Sequence, residues 1–516
     1  MKDHPFLAIG LILLCAVSAI TCGPSTVIRK SDVTPAHIDL DTKFLKAYRA
    51  DGSLYVLSNW LLDTATVSGF GTLYDANRTP VESGQMRVPR SQIVLYESNT
   101  LGSSTAGTGL MVALVAHAAL TAYCIANPKA CFGSCPTFYI NNGTEEVLMA
   151  EGFSSSILPS READDIDALP FAKPIENTLT VRMKNEALET HVVRDVSVLA
   201  VAHKDGERVF KTDDGTFFAA REIASPVVAT AAEGIITDQL RALDGNERRS
   251  WTDSTDLATK EWIDLDFDPH SSGNYGIAIA ARQTFVSTYL FYQELSYLGS
   301  KASDVLARAE RGDRFVRNSS DKLLKMLGGI EVWTEDSSGN WKREGEAYEM
   351  GPIATDIHLV TISGISRPKH VRLRLAQGSW RIDWVALAKL DREVQPIVVH
   401  PSSRAHTADQ VLLPKDTTGI AALLAPKGTL VTQPGDEYVY TFDLPQGQNC
   451  ELFLKARGYY LEWMREDWLL EENPTLAALM LLDPKGSLKR EAARFKDMEG
   501  IMETSFWKTK ISRNIQ

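Results

Sequence analysis

Asp264, Asp266 and Asp268 alternate with Leu265 and Phe267, and His270 follows close behind. Alternate residues of an extended strand share a face, so this spacing lines three carboxylates along one side of a sheet. Oxygen clusters suit calcium, which makes Asp264, Asp266 and Asp268 candidate metal ligands. Calcium loops of the EF type, however, turn on a glycine rather than run straight, and a solvated strand face accounts for the same pattern. A second acidic run, Glu162, Asp164, Asp165 and Asp167, reads as a loop and as solvated surface, with a cap or cation site as the alternative. Paired carboxylates also hydrolyse glycosides; a hydrolase of that kind requires Asp264, Glu344, Asp356 or Asp383 to converge in a concave pocket. Other chemistry is sparse. The chain has no Gly-x-Ser-x-Gly elbow, His-Glu-x-x-His pair, Walker loop or dinucleotide fingerprint after a strand. Ser-x-x-Lys at 319–322 and 505–508 lies in amphipathic stretches without companion motifs, and Arg311-Gly312-Asp313 reads as a linker. No catalytic residue is assigned and no cofactor is expected.

The N-terminus carries a signal for compartment. Lys2 precedes an apolar run over 6–20, too short to span a bilayer, and small residues lead to Cys22. That is the layout of a signal peptide over 1–21. It resembles the lipobox of bacterial lipoproteins, with Thr21 departing from the usual Gly or Ala. The resemblance implies that Cys22 is diacylated and that the protein is lipid-anchored in the bacterial cell envelope, at the outer membrane or periplasmic face.

With Cys15 removed with the signal, Cys124, Cys131, Cys135 and Cys450 remain, and an oxidising envelope permits three complete pairings. Gly133 allows the turn that brings Cys131 and Cys135 within reach, leaving Cys124 and Cys450 as the second pair. Buried thiols are the alternative; a zinc site fits no common spacing here. The segment Cys131-Phe132-Gly133-Ser134-Cys135-Pro136, followed by Tyr139, resembles the CysPheGly-x-CysPro-x-Tyr segment of uncharacterised bacterial envelope proteins. The resemblance implies location and no activity.

A chain of 516 residues exceeds what one core supports, so several domains are expected. Its net charge of −12 excludes nucleic acid as a partner, because phosphate binding needs a basic face. The fold class expected is α+β, mostly β: antiparallel β-sandwich domains with a helical insertion and C-terminal helices. Alternation predicts a small antiparallel β domain over 22–104, with strands at Leu54–Leu62 and Thr66–Tyr74. An apolar helix over 105–127 follows, buried, membrane-adjacent or spanning. A β-rich domain covers 128–258, with a helical segment near 229–243 and an Asp-Gly hairpin turn at Asp214-Gly215. A β-sandwich covers 259–392, in which 262–268 and 275–282 pair, with a helical insertion at 284–327. Strands and helices fill 393–516: Gly458 ends a strand, an aromatic helix begins at Tyr459, and Ser487 caps the last helix.

Over 259–392, an aspartate-bearing strand, a hairpin through 336–340 and the Trp380–Ile382–Trp384 strand resemble galactose-binding-like, discoidin-type β-sandwiches. The resemblance implies a sugar or lipid-headgroup site on end loops such as 336–340. By periodicity, Trp380 and Trp384 share one face, as a core stripe, opposite Arg381 and Asp383.

These readings favour a lipid-anchored, non-catalytic binding or structural module whose partners are the membrane, through its anchor, and a carbohydrate or envelope protein. The rival is a secreted, glycan-directed hydrolase using acidic residues.

Overall fold

Two kinds of apolar pattern distinguish the strands, one continuous and one alternating. The structure, a computed structural model, describes residues 25–32, 40, 42–103, 135–302, 305, 322–412, 428–462 and 471–505, excepting 43, 50–52, 75–79, 158, 188, 324, 349–350, 409–410 and 433–434. The proposed signal peptide, Cys22, the apolar run 105–127 and most of the second half of the 284–327 insertion lie outside these. Among the described residues no helix is long and apolar enough to cross a membrane.

The chain forms two units. The smaller comprises Met1–Tyr123, Leu295–Val305 and Met464–Pro474. It contains one six-stranded antiparallel sheet in which Leu54–Leu62 and Thr66–Tyr74 stand where alternation put them. Leu45, Leu57, Trp60, Val67 and Val88 form its core.

The larger unit, Cys124–Glu294, Leu306–Trp463 and Thr475–Gln516, holds two sandwiches. In the first, a six-stranded sheet including Thr137–Asn141, Thr178–Lys184 and Glu437–Asp443 faces a sheet built on Glu189–Ala202 and Cys450–Glu462. Phe138, Val181, Val198, Tyr440 and Leu454 fill the space between them. The second sandwich lies between these segments in the sequence. One of its sheets runs Phe217–Ala224, Arg208–Lys211, Asp356–Ile362, Asn274–Gln283, Trp380–Val394 and Arg248–Arg249, with Phe217–Ala224 also pairing Trp380–Val394. The other runs Gly234–Ile235, Val228–Ala231, Lys260–Asp266, His370–Ala376, Ile330–Glu335 and Trp341–Ala347. The chain is thus mostly β and almost wholly antiparallel; Lys211 opposite His358 is a parallel pairing.

A third core joins the sandwiches. Leu199, Val201 and Phe453 of the first meet Phe210, Ala278, Ala280, Leu359 and Trp384 of the second. Glu189–Ala202 and Asn274–Gln283 are therefore buried on both faces, which is why their sequences are apolar almost without break. Lys260–Asp266 is covered on one face only and alternates strictly.

Several local expectations change. Lys260–Asp266 and Asn274–Gln283 are consecutive but lie in opposite sheets of the sandwich; the linking residues cross from one layer to the other instead of turning back. The 229–243 segment holds two short strands and a helix of one turn, Thr237–Leu240. Gly458 does not end its strand, which continues to Glu462. A Cβ there would stand 2.4 Å from the Val192 carbonyl oxygen, so its glycine serves a close strand approach. The final helix, Pro484–Ser505, starts one turn earlier than expected: Asp483 accepts the Gly486 N–H at 3.0 Å and Pro484 takes the first helical position.

Candidate functional site

The outer face of the second sandwich carries aromatic and charged side chains with a common orientation, Trp262 exposed and Trp333 and Trp341 half-buried. In Lys260–Asp266, Ile263 and Leu265 enter the core, so Trp262, Asp264 and Asp266 face outward. Register places Arg374, Arg372 and His370 opposite them. On the next strand Glu331 and Trp333 lie opposite Arg374 and Arg372. Trp341, on the edge strand, stands opposite Glu335. The rings of Trp262 and Trp333 meet edge to face at 5.9 Å, and the Arg372 guanidinium lies 4.1 Å from the centre of the Trp341 ring. Trp262 remains 42% exposed. Val228 and Ile235 extend the face beyond Asp266, toward the other edge.

Charge on this face is largely paired. Arg372 donates to Asp264, His370 and Asp266 lie 2.7 Å apart, and Arg374 reaches both Glu331 oxygens at 3.3 Å. Burial raises the Glu331 carboxyl, but bonds from Trp333 and Arg374 hold it below its ordinary range. Such exposed pairs contribute about 0–1 kcal/mol each, so their main effect is to fix planar polar groups beside the indoles. Indole faces stack against apolar ligand surfaces while fixed carboxylates and guanidinia hydrogen-bond at the edges.

The aspartate row is therefore on one face, as its spacing required, but Asp264 is engaged by Arg372 and Asp266 by His370. Asp268 lies just past the strand and is exposed. Among the described residues no group of three or more His, Cys, Asp or Glu is placed to hold a metal ion. The other acidic run is not a loop: Asp164, Asp165 and Asp167 belong to the strand Ala163–Ala168. Glu162 and Asp164 pair with Arg457, while Asp167 is buried and accepts the Glu151 N–H at 2.9 Å.

The four carboxylates named for a hydrolase do not share a pocket. Asp264 pairs with Arg372 on the outer face. Glu344 accepts Thr334 Oγ1 at 2.7 Å and Ser363 Oγ at 2.8 Å; burial raises its carboxyl, but these bonds bring it below the usual range. Asp356 is buried, accepts the Ala168 N–H at 2.7 Å and lies 3.5 Å from Lys211 Nζ. Asp383 accepts the Gly245 N–H at 3.0 Å, and burial raises its carboxyl.

Trp380 and Trp384 are both core residues, at 2% and 9% exposure, but they do not share a face. Ala280 stands opposite Trp384 and Ala281 opposite Ile382, so Asp383 is an extra residue in the ladder. That bulge reverses the alternation. Trp380 and Ile382 enter the second sandwich's core, and Trp384 enters the core between the sandwiches. The loop 336–340 is a hairpin turn in which Asp336 accepts the Ser338 and Asn340 N–H groups at 2.8 and 2.9 Å.

The expected pairings Cys131–Cys135 and Cys124–Cys450 each include a cysteine outside the described residues, as Cys22 also is; Cys450 is a half-buried thiol. Cys135 is 1% exposed, with φ of 61° and its Sγ 3.2 Å from Ser154 Oγ.

Sequence reading missed a buried polar block. At one end of the first sandwich Glu189 lies opposite Glu462 and His191 opposite Tyr460. Glu189 and His191 are 0% exposed and Glu462 7%. His191 Nε2 is 2.8 Å from Glu189 Oε1, and Tyr292 donates to Glu462 at 2.5 Å. Burial alone lowers the His191 pKa to about 3, so its ring is neutral. The only local signal was Glu189 and His191 at i and i+2; their partners are more than 260 positions away.

No protein-family model matches the chain, and no curated protein matches it, so the resemblance around Cys131 gains no support there. Among solved structures, the chain is similar to the C-terminal CBM6 of LamC, a marine laminarinase from Zobellia galactanivorans. That likeness has 11% identity and a TM-score of 0.14, covering 37% of this chain and 99% of that one.

Proposed function

We propose that this protein is a non-catalytic, lipid-anchored envelope protein that binds glycans on the outer face of its second sandwich. The observation that carries the binding reading is the edge-to-face pair of exposed Trp262 and half-buried Trp333, flanked by Arg372, Arg374, Asp264 and Asp266. A pyranose ring has apolar C–H faces and a rim of hydroxyls, which this mixture matches group for group. With most of the charges paired, the face favours neutral sugars over acidic ones. It is an open sheet surface, so it suits internal stretches of a polymer rather than a chain end. The anchoring part rests on the sequence around Cys22.

Affinity electrophoresis against neutral polysaccharides tests the first part. Trp262→Ala should abolish retardation while leaving the thermal midpoint within a degree or two, because the side chain is half-exposed. Retardation equal to wild type removes this face as the site. Metabolic palmitate labelling tests the second: a Cys22→Ala variant should lose label and leave the membrane fraction, and a labelled, sedimenting variant would refute anchoring at Cys22.

A further inference from the structure

Where the two sandwiches of the larger unit meet, a cavity of about 70 Å³ lies beside helix Val286–Leu298. One water needs roughly 10–15 Å³ by this measure, so the cavity holds about six heavy atoms. Phe291, Pro352 and the rings of Tyr292 and Tyr460 give it apolar walls, while Ser154 and Ser287 contribute hydroxyls. Apolar walls with a few convergent polar groups are the general pattern of a small-molecule site.

The hydroxyls are already oriented. Tyr292 donates to Glu462 at 2.5 Å, Ser154 to Glu151 at 3.0 Å and Ser287 to Gln283 Oε1 at 2.5 Å. Each gives its proton to an acceptor, so it can meet a ligand only as an acceptor; Ser154 Oγ also lies 3.2 Å from Cys135 Sγ. Glu151 and Glu462 are buried, which makes those hydroxyl oxygens stronger acceptors. An occupant that bonds to these hydroxyls must therefore donate to them. Buried carboxylates behind the walls oppose an anion, and Arg161 in the lining opposes a cation. The walls are also rigid. Glu151 accepts the Ile353 and Ala354 N–H groups at 2.8 and 3.2 Å. A Cβ on Gly351, where φ is +151°, would stand 1.2 Å from Glu151 Oε1, so only glycine lets the chain pass there.

We propose that this cavity binds a small neutral polyol of about glycerol size, whose hydroxyls donate to the oxygens of Tyr292, Ser154 and Ser287 while its carbon backbone lies against Phe291 and Tyr460. This site is separate from the aromatic sheet face and does not depend on glycan binding there.

Saturation-transfer NMR on the full chain, titrated with glycerol, propane-1,2-diol or choline, tests it. Saturable transfer to glycerol or propane-1,2-diol is expected, weakened about tenfold or more in Tyr292→Phe. Thr288→Tyr, at a half-buried lining position on the helix, should fill the cavity and abolish the signal even if Tyr292→Phe folds poorly; its circular dichroism spectrum should match wild type. Trp262→Ala should leave polyol binding unchanged. Absence of saturable transfer to either polyol, transfer that survives Thr288→Tyr in a folded protein, or stronger binding of choline would each overturn the proposal.

Discussion

His191 shows how much one buried titratable residue can govern. Its imidazole is fully enclosed, beside Glu189 and edge-on to Phe153 at 6.3 Å, and burial lowers its pKa from 6.5 to about 3. The unfolded chain then binds a proton that the folded chain refuses between those values. Its contribution is fully present above pH 6.5 and is lost as the pH falls toward 3, by up to about 1.4 kcal/mol per pH unit. His191→Gln keeps a donor for Glu189 and removes the titration. Between pH 7 and 4.5 the variant should lose about 2–3 kcal/mol less stability than wild type, read from urea-unfolding midpoints. Equal losses would show that other groups set the acid limit.

At the scale of elements, charged side chains fasten the end of the second sandwich. Arg248 is 1% exposed and forms bidentate pairs with Glu233 and Glu261, both Glu261 contacts being 2.8 Å. Nearby, Glu499 of helix Pro484–Ser505 accepts the Thr252 N–H and hydroxyl at 3.1 and 2.9 Å, and Glu503 pairs with Arg249 and Arg381. A buried pair adds little net stability over an apolar substitute, but removing one partner strands the other. Arg248→Met should therefore cost about 3–5 kcal/mol, because Glu261 stays buried without its cation. Adding Glu261→Gln should recover part of that loss; a double variant as unstable as the sum of two singles would show that the pair is not coupled.

For the molecule as a whole, the core between the sandwiches matters most. Trp384 packs there 6.1 Å from Phe210, with Leu199 and Phe453 supplied by the first sandwich. Strands on either side of the second sandwich in sequence, Thr178–Lys184 and Glu437–Asp443, pair to make the first, so the chain must close a loop of some 250 residues to complete it. Trp384→Ala should cost about 3–5 kcal/mol and lower the melting of both sandwiches together in one calorimetric transition. Two transitions, with the first sandwich unshifted, would mean that the sandwiches fold independently.

Local chemistry in the sequence determined a good deal. Period-two alternation pointed to a strand over 262–268, observed as Lys260–Asp266, with Asp264 and Asp266 in one row, and Asp214-Gly215 gave the turn between Arg208–Lys211 and Phe217–Ala224. These features depend on neighbours a few residues apart, where periodicity and turn propensity act directly. Tertiary structure decided which strands pair and which face meets which. An extra residue at Asp383 sends Trp384 away from Trp380, and no periodic pattern announces a bulge. Gly458 looked like a break because glycine's freedom is visible locally, whereas the Val192 carbonyl that requires it is not. The partners of the aspartate row, Arg372 and His370, and of His191, Tyr460, stand opposite them only after folding. Burial and cross-strand register are properties of chain segments far apart in sequence, so the aromatic face and the cavity by Tyr292 became legible only in three dimensions.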